Sequence, residues 1–125
     1  MSLRILLAAV LGAVIGYERR RADKPVGLRT LVLISAGAAL FTVASIYGFS
    51  GADPTRIAAG IVTGIGFLGA GAIIRRRAGG IEGLTTASAI WVVAAIGLAA
   101  GAGLYLMATV TTVMVLLVLL LLRQD

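Results

Sequence analysis

The sequence predicts an all-α, polytopic membrane protein that crosses the bilayer five times. Sixty per cent of its 125 residues are hydrophobic and only 13% are charged, and the mean hydropathy is +1.08. Such a chain cannot cover a soluble core with polar surface. Charged residues or glycines separate five apolar segments, at residues 3–17, 30–49, 57–74, 84–100 and 104–122. Because backbone groups in hydrocarbon need partners within their own segment, each is predicted to be a helix of one transmembrane domain, 1–125.

The first segment is the weakest of the five. It has 15 residues and carries Arg4, so it reaches only about 22 Å against a hydrocarbon core of roughly 30 Å. Either the Arg4 side chain extends to the interface, or the helix continues through Glu18. The basic start resembles a signal peptide, but three arginines follow where a cleavage site is expected, so the segment is predicted to be retained.

The third segment opens on a helix-start signal. Asp53 can accept a hydrogen bond from the free N–H groups of a first turn, and Pro54 suits the first helical position. An (i, i+3) pair with Arg56 would complete a purely structural role for both charges. The functional alternative is an entrance carboxylate. The apolar run that follows, 57–74, has 18 residues and reaches roughly 27 Å.

Glycine is abundant in segments where lipid gives no reason for it, unless a neighbouring backbone or a ligand comes close. Three pairs of glycines stand four residues apart and form small-residue ridges, at residues 12 and 16, 60 and 64, and 97 and 101. An alternative for the third segment is a locally unwound helix that exposes carbonyl groups to an ion. The predicted helix-packing residues are Gly12, Gly16, Gly60, Gly64, Gly66, Gly69, Gly71, Gly97 and Gly101.

The fourth and fifth segments are almost entirely apolar. The fourth contains Thr85 and Thr86 at its start, and hydroxyl groups of this kind commonly return a hydrogen bond to their own helix. Trp91 lies near its middle, away from the interfacial belt that tryptophan favours. It is predicted to pack within the bundle or to line a cavity. The fifth segment is apolar all round, which is typical of a lipid-facing or dimer-facing helix.

The net charge of +6 is explained by topology better than by nucleic acid. With five spans, the basic connectors share one side, which the positive-inside rule makes cytoplasmic. The N-terminus is then outside and the C-terminus inside. Such a cluster is also suited to anionic lipid headgroups. The residues on this side are Arg19, Arg20, Arg21, Lys24, Arg29, Arg75, Arg76, Arg77 and Arg123.

The two basic connectors resemble each other at an offset of 56 residues. Residues 19–30 read RRRADKPVGLRT and residues 75–86 read RRRAGGIEGLTT. The flanking helices also correspond in direction, so a parallel repeat of two helical hairpins, followed by an added fifth helix, is predicted. The competing explanation is coincidence, because the rule for basic connectors alone supplies three arginines.

Glu18 directly follows the first segment. Its expected partners are Arg29 and the three arginines at residues 19–21. It is either an interfacial salt bridge that fixes the hairpin or a titratable cation or proton site. Glu18 and Arg29 belong to the inner side, whereas Asp53 and Arg56 belong to the outer side. The two pairs should therefore not form one site.

Three sequence blocks closely resemble the MgtC/SapB family. They are YERRRADKPVGLRT at residues 17–30, DPTRIAAGIVTGIGFLGAGAII at 53–74 and GLTTASAIW at 83–91. The resemblance covers nearly the whole chain and implies a multi-pass protein of the bacterial inner membrane, with an N-out, C-in five-helix region. The positions carried over from its motifs are Glu18, Arg29, Thr30, Asp53, Arg56, Gly64, Gly66, Gly69, Gly71, Thr85, Thr86 and Trp91.

The resemblance further implies a link to magnesium limitation, survival inside host macrophages and restraint of the rotary ATP synthase. Two departures stand out: Gly60 replaces the glutamine usual in the family, and the sequence ends at Asp125 without the soluble domain of longer members.

Two functions from different classes follow. The first is a regulatory membrane protein that docks its glycine ridges on a copy of itself, as a homodimer, or on a larger membrane complex such as ATP synthase. The second is a transporter or channel for magnesium or protons, using Glu18 or Asp53. No acidic residue lies in the central part of any span, which favours the first. Without a nucleophile–base pair, a metal cluster or a phosphate loop, no enzyme and no cofactor are expected.

Overall fold

The computed structural model describes residues 2–24, 26–51, 53–75 and 81–122. Within these ranges the fold is all-α, with five helices. They are α1 (Ser2–Arg21), α2 (Leu28–Tyr47), α3 (Pro54–Gly71), α4 (Leu84–Gly101) and α5 (Tyr105–Leu121). Two of the described helices, α2 and α4, are long and apolar enough to cross a membrane.

A short antiparallel pair of strands, which the sequence pattern did not predict, lies between α3 and α4. The strands are β1 (Ile74–Arg75) and β2 (Ile81–Glu82), with Ile74 opposite Glu82. The predicted third helix was to run to residue 74, but α3 ends at Gly71. Its last turn tightens, because Ala72 N–H bonds to the Gly69 carbonyl at 3.0 Å and Ile73 N–H to the Ala70 carbonyl at 3.2 Å. Such i→i+3 bonds terminate a helix.

Contacts at individual glycines establish how the helices run relative to one another. Gly12 and Gly16 of α1 stand against Ser35 and Leu28 of α2, so these helices are antiparallel. Gly97 of α4 stands against the same Ser35, while Gly101 meets Ala39 and Thr42, so α2 and α4 run parallel. Gly69 of α3 meets Ala87 near the start of α4, which makes that pair antiparallel.

The bundle therefore has two ends. At one, called the basic end, α1 and α3 finish and α2 and α4 begin. It carries Arg19, Arg20, Arg21, Lys24 and Arg29. At the other, called the opposite end, α2 and α4 finish and α3 and α5 begin.

The core lies where α1, α2 and α4 meet. Its fully buried members include Ile15 of α1, Leu31 of α2 and Val93 of α4, each at 0% exposure. The third helix contributes much less, since Gly69 is its one buried residue. The core is thus built mainly by α1, α2 and α4, with Ala108 and Leu119 of α5 added to it and α3 at its edge.

Candidate functional site

A buried ion pair lies at the basic end, where α1 continues past its apolar stretch. Arg19 donates from Nε to Glu18 Oε1 at 2.6 Å and from Nη2 to Glu18 Oε2 at 3.1 Å. Both side chains are almost fully buried, and Arg19 Nη1 has no hydrogen-bond partner among the described residues. The pair is bidentate and shielded from water, so each charge depends strongly on the other.

The other predicted residues of this end are dispersed around it. Arg29 and Thr30 are exposed on the first turn of α2, and Thr85 is exposed on the first turn of α4. Thr86 is buried at 3% exposure. Arg19, rather than Arg29, therefore makes the close ion pair with Glu18.

Asp53 and Arg56 lie at the opposite end, well separated from Glu18 along the bundle. Asp53 is the N-cap of α3, and its Oδ1 accepts hydrogen bonds from the Thr55 hydroxyl at 2.8 Å and the Thr55 N–H at 3.0 Å. The bond from the Thr55 hydroxyl, followed by that from its amide, lowers the pKa of Asp53. The predicted pair with Arg56 is not formed among the described residues, because the carboxylate is directed to Thr55 instead.

Arg4 connects α1 to three other helices at the opposite end. It donates from Nε to the Tyr105 hydroxyl at 2.9 Å and from Nη1 to the Gly101 carbonyl at 3.0 Å. Its guanidinium carbon also lies 5.2 Å from the ring centroid of Tyr47. The first helix is thereby held to the ends of α2 and α4 and to the start of α5. These contacts were not predicted from the sequence, because the acceptors lie 101 and 97 residues from Arg4.

Eight of the nine predicted packing glycines fall into two groups, and the ninth, Gly69, is intermediate, since a Cβ there would lie 3.5 Å from the Ala87 carbonyl oxygen. Four of them lie against a neighbouring backbone: a Cβ on Gly16 would stand 2.7 Å from the Leu28 Cα, and one on Gly101 would stand 2.7 Å from the Ala39 carbonyl oxygen. Gly12 and Gly97 are similarly enclosed by α2. At Gly60, Gly64, Gly66 and Gly71 of α3, by contrast, a Cβ would meet nothing within 4 Å.

A wide groove lies between α2 and α3 and has a volume of about 1130 Å³. We call it the α2–α3 groove. Its walls include Gly37 and Phe41 of α2 and Gly60 and Gly64 of α3, and Ile90 of α4 also lines it. Apart from Arg56 near the opposite end and Thr30 near the basic end, its lining residues are apolar.

A second surface lies on the side of α3 turned away from the groove. Ala59, Thr63, Gly66 and Ala70 recur there at helical spacing, and all four are exposed and outside the groove lining. We call these four residues the small-residue face of α3. The Thr63 hydroxyl donates to the Ala59 carbonyl at 3.2 Å, so the face presents no free hydroxyl hydrogen.

Trp91 is on the surface of α4 with 57% of its area exposed. The prediction that it packs within the bundle or lines a cavity is therefore wrong for this chain alone. The neighbouring Ile90 is directed inward and lines the groove instead. Adjacent positions on a helix point about 100° apart, and here Ile90 has the inward direction and Trp91 the outward one.

Several hydroxyl groups inside the helices donate to their own helix. Ser35, Thr42, Ser88 and Thr112 each donate to a carbonyl three or four residues earlier in the same helix. Ser45 is different, since its Oγ donates to the Pro54 carbonyl at 3.3 Å and joins α2 to α3.

Comparisons with known proteins agree with the sequence blocks. The model of the MgtC family matches residues 5–124. YhiD of Escherichia coli (strain K12), named as a proposed magnesium transporter, is 50% identical over 94% of this chain and 58% of its own length. Protein MgtC of Brucella abortus (strain 2308) is 47% identical over 93% of this chain and 48% of its own.

Protein SapB of Bacillus subtilis (strain 168) is 42% identical over 82% of this chain and 48% of its own length. The chain thus spans about half the length of the curated relatives it matches. No solved structure matches it significantly. The family model covers nearly every residue, and on this ground the chain belongs to the MgtC family.

Proposed function

We propose that this MgtC family membrane protein crosses the bacterial inner membrane five times and acts as a non-enzymatic regulator through helix–helix contacts. The basic end lies in the cytoplasm under this proposal, with the N-terminus outside. The distribution of charge supports it, since the basic end carries Arg19, Arg20, Arg21, Lys24 and Arg29. Positive residues are retained on the cytoplasmic side of membrane proteins.

The polar groups argue against an ion path through the described bundle. Glu18 is paired with Arg19 at one end, and Asp53 caps α3 at the other. Between them, the hydroxyl groups of Thr42 and Thr112 return to their own helices. An ion that crosses a bilayer needs ligands or water near the midplane, and among the described residues no acidic side chain belongs to the middle of a helix.

The observation that carries the proposal is the small-residue face of α3. Its members are exposed, although a membrane gives no advantage to small residues that face lipid. Close approach of another helix is the use for which such residues are favoured. The face lies on a helix that the chain itself barely buries, so it is free to receive one.

The partner is proposed to be a second copy of this chain, giving a homodimer, or a larger membrane complex. By resemblance to the family, ATP synthase is one such complex, and growth under magnesium limitation and intracellular survival are the settings in which it would act. The curated relatives are about twice as long as this chain, so their own activities enter here only as part of this proposal.

The docking test uses the absence of cysteine from the sequence. A single Thr63→Cys variant should form cross-linked adducts in membranes, because the face brings residue 63 close to a partner helix. Adding Gly66→Leu should abolish the adducts, since a large side chain holds the helices apart. Adding Gly64→Leu, on the groove side of the same helix, should leave them intact. A Thr63→Cys protein that never cross-links would refute docking at this face.

Cation transport remains the second candidate, because Glu18 is a buried carboxylate and the E. coli relative is named as a proposed magnesium transporter. Ion flux in proteoliposomes distinguishes the two. Under the regulatory proposal, the parent protein gives no magnesium or proton flux above that of empty vesicles. Flux that is lost in Glu18→Gln or Asp53→Asn variants that still fold would replace this proposal with transport.

A further inference from the structure

The α2–α3 groove is open because glycines, which have no side chain, lie along both of its walls. Gly37 on one wall and Gly60, Gly64 and Gly71 on the other would each have free space around a Cβ. Leu33 and Leu68 contribute to the lining while remaining more than half exposed. The groove is therefore an apolar cleft in the side of the bundle, open to whatever surrounds the protein. In the proposed topology those surroundings are lipid.

The two walls of the groove meet at the opposite end. There the Ser45 Oγ donates to the carbonyl of Pro54, the first residue of α3. Phe41, one turn before Ser45, lines the groove just below this junction. A helix that crosses the bilayer would have to leave the groove at both ends, and the junction obstructs one of them. A slender occupant that enters from the side has no such difficulty.

Arg56 is the charged residue of the lining and lies in the first turn of α3, close to this junction. It is exposed, and no hydrogen bond or ion pair holds its guanidinium group among the described residues. Asp53, the nearest carboxylate in the sequence, accepts two bonds from Thr55 instead. In the proposed topology, Arg56 stands at the level of the outer headgroups. A guanidinium group is well matched to a phosphate there.

We propose that the α2–α3 groove binds one phospholipid of the outer leaflet. Arg56 holds its phosphodiester group, and its acyl chains lie along the walls formed by Gly37, Gly60 and Gly64. The groove extends from Arg56 to Gly71, about 22 Å of helix, which exceeds the roughly 15 Å depth of one leaflet. This inference rests on the proposed membrane topology and is independent of docking at the small-residue face.

Native mass spectrometry of the purified chain in detergent tests the site, with phosphatidylglycerol as the added lipid. Gly64→Leu fills the groove and should remove most of the bound lipid. Gly66→Leu is the matched control, because it adds the same side chain to the same helix at a position that is equally open but outside the groove. It should bind lipid like the parent.

Arg56→Gln tests the headgroup contact without altering the groove. It should weaken phosphatidylglycerol binding by about tenfold, as expected for the loss of a charge-assisted hydrogen bond. Diacylglycerol with the same acyl chains lacks the phosphate and should bind the parent and Arg56→Gln equally. A circular dichroism melt of each variant shows whether it is folded.

Equal phosphatidylglycerol binding by the parent, Gly64→Leu and Arg56→Gln would overturn the proposal. So would cross-linking of a Gly64→Cys variant to a second copy or to another membrane protein, because a protein would then occupy the groove. These outcomes are separate from the docking test: Gly64→Leu changes lipid binding alone, whereas Gly66→Leu changes Thr63 cross-linking alone.

Discussion

The first and third helices occupy corresponding positions in the two hairpins, yet their glycines have different surroundings. In α1, Gly12 and Gly16 lie directly against the backbone of α2. In α3, Gly60 and Gly64 have the same four-residue spacing, but a Cβ on either would meet nothing within 4 Å. A small-residue ridge therefore indicates that another molecule or helix can approach the backbone closely, but it does not identify that neighbour. Where this chain supplies no neighbour, the proposed occupant is a molecule from outside.

The largest expected effect concerns the buried ion pair of α1, the helix whose glycines lie directly against α2. Glu18→Gln leaves the Arg19 guanidinium buried without a countercharge, so the free energy of unfolding should fall by about 3–5 kcal/mol. Chemical unfolding in detergent, followed by circular dichroism, measures it.

The double variant Glu18→Gln, Arg19→Gln is the control, because it removes both charges together. It should be less destabilised than Glu18→Gln alone. If the two proteins unfold at the same denaturant concentration, the two charges are not coupled and the packing of α1 does not depend on them.

An intermediate effect compares one glycine from each region directly. Gly97→Ala places a methyl group against the Ser35 carbonyl oxygen, and overpacking of this kind costs about 1–3 kcal/mol. Gly60→Ala places the same group in open space and should be neutral or stabilising by up to about 1 kcal/mol, because alanine favours a helix over glycine. The same unfolding experiment measures both. Equal losses in the two variants would abolish the distinction between the regions.

The smallest effect concerns the first turn of α3. The hydrogen bonds that Asp53 accepts from Thr55 lower the pKa of Asp53 in the folded protein. Their contribution to the stability of this turn is therefore complete above the ordinary pKa of 3.8. It is lost as the pH falls through the lower folded value. Hydrogen exchange at the start of α3 should therefore accelerate in strong acid. Asp53→Asn keeps a capping oxygen but cannot titrate, so its exchange should lack this acid-dependent step.

Prediction from the sequence succeeded where one residue decides a local structure. Asp53 and Pro54 predicted the start of α3, because a cap and a proline act within a single turn. The termination of α3 at Gly71 and the strand pair after it were not predicted, since apolar residues continue to Ile74. The hydropathy pattern contains no signal for a turn that tightens among glycines.

Tertiary contacts were harder to predict for a physical reason. Arg19, Arg20 and Arg21 are identical in chemistry, and only the helical phase of Ala8, Leu11 and Ile15 would have indicated that Arg19 faces inward. The exposure of Trp91 and of the α3 glycines depends on which helices surround them. A sequence of uniformly apolar spans does not encode that arrangement in any single segment.

Arg4 has a consequence for how the bundle is assembled. Its hydroxyl acceptor, Tyr105, follows it by 101 residues, and its carbonyl acceptor, Gly101, follows by 97. A ribosome therefore synthesises the donor well before either acceptor. Until the start of α5 emerges, the guanidinium group has to be solvated by water or headgroups, so closure at the opposite end waits for Tyr105. A chain truncated before Gly101 would keep the contact of Arg4 with Tyr47 but lose both of these hydrogen bonds.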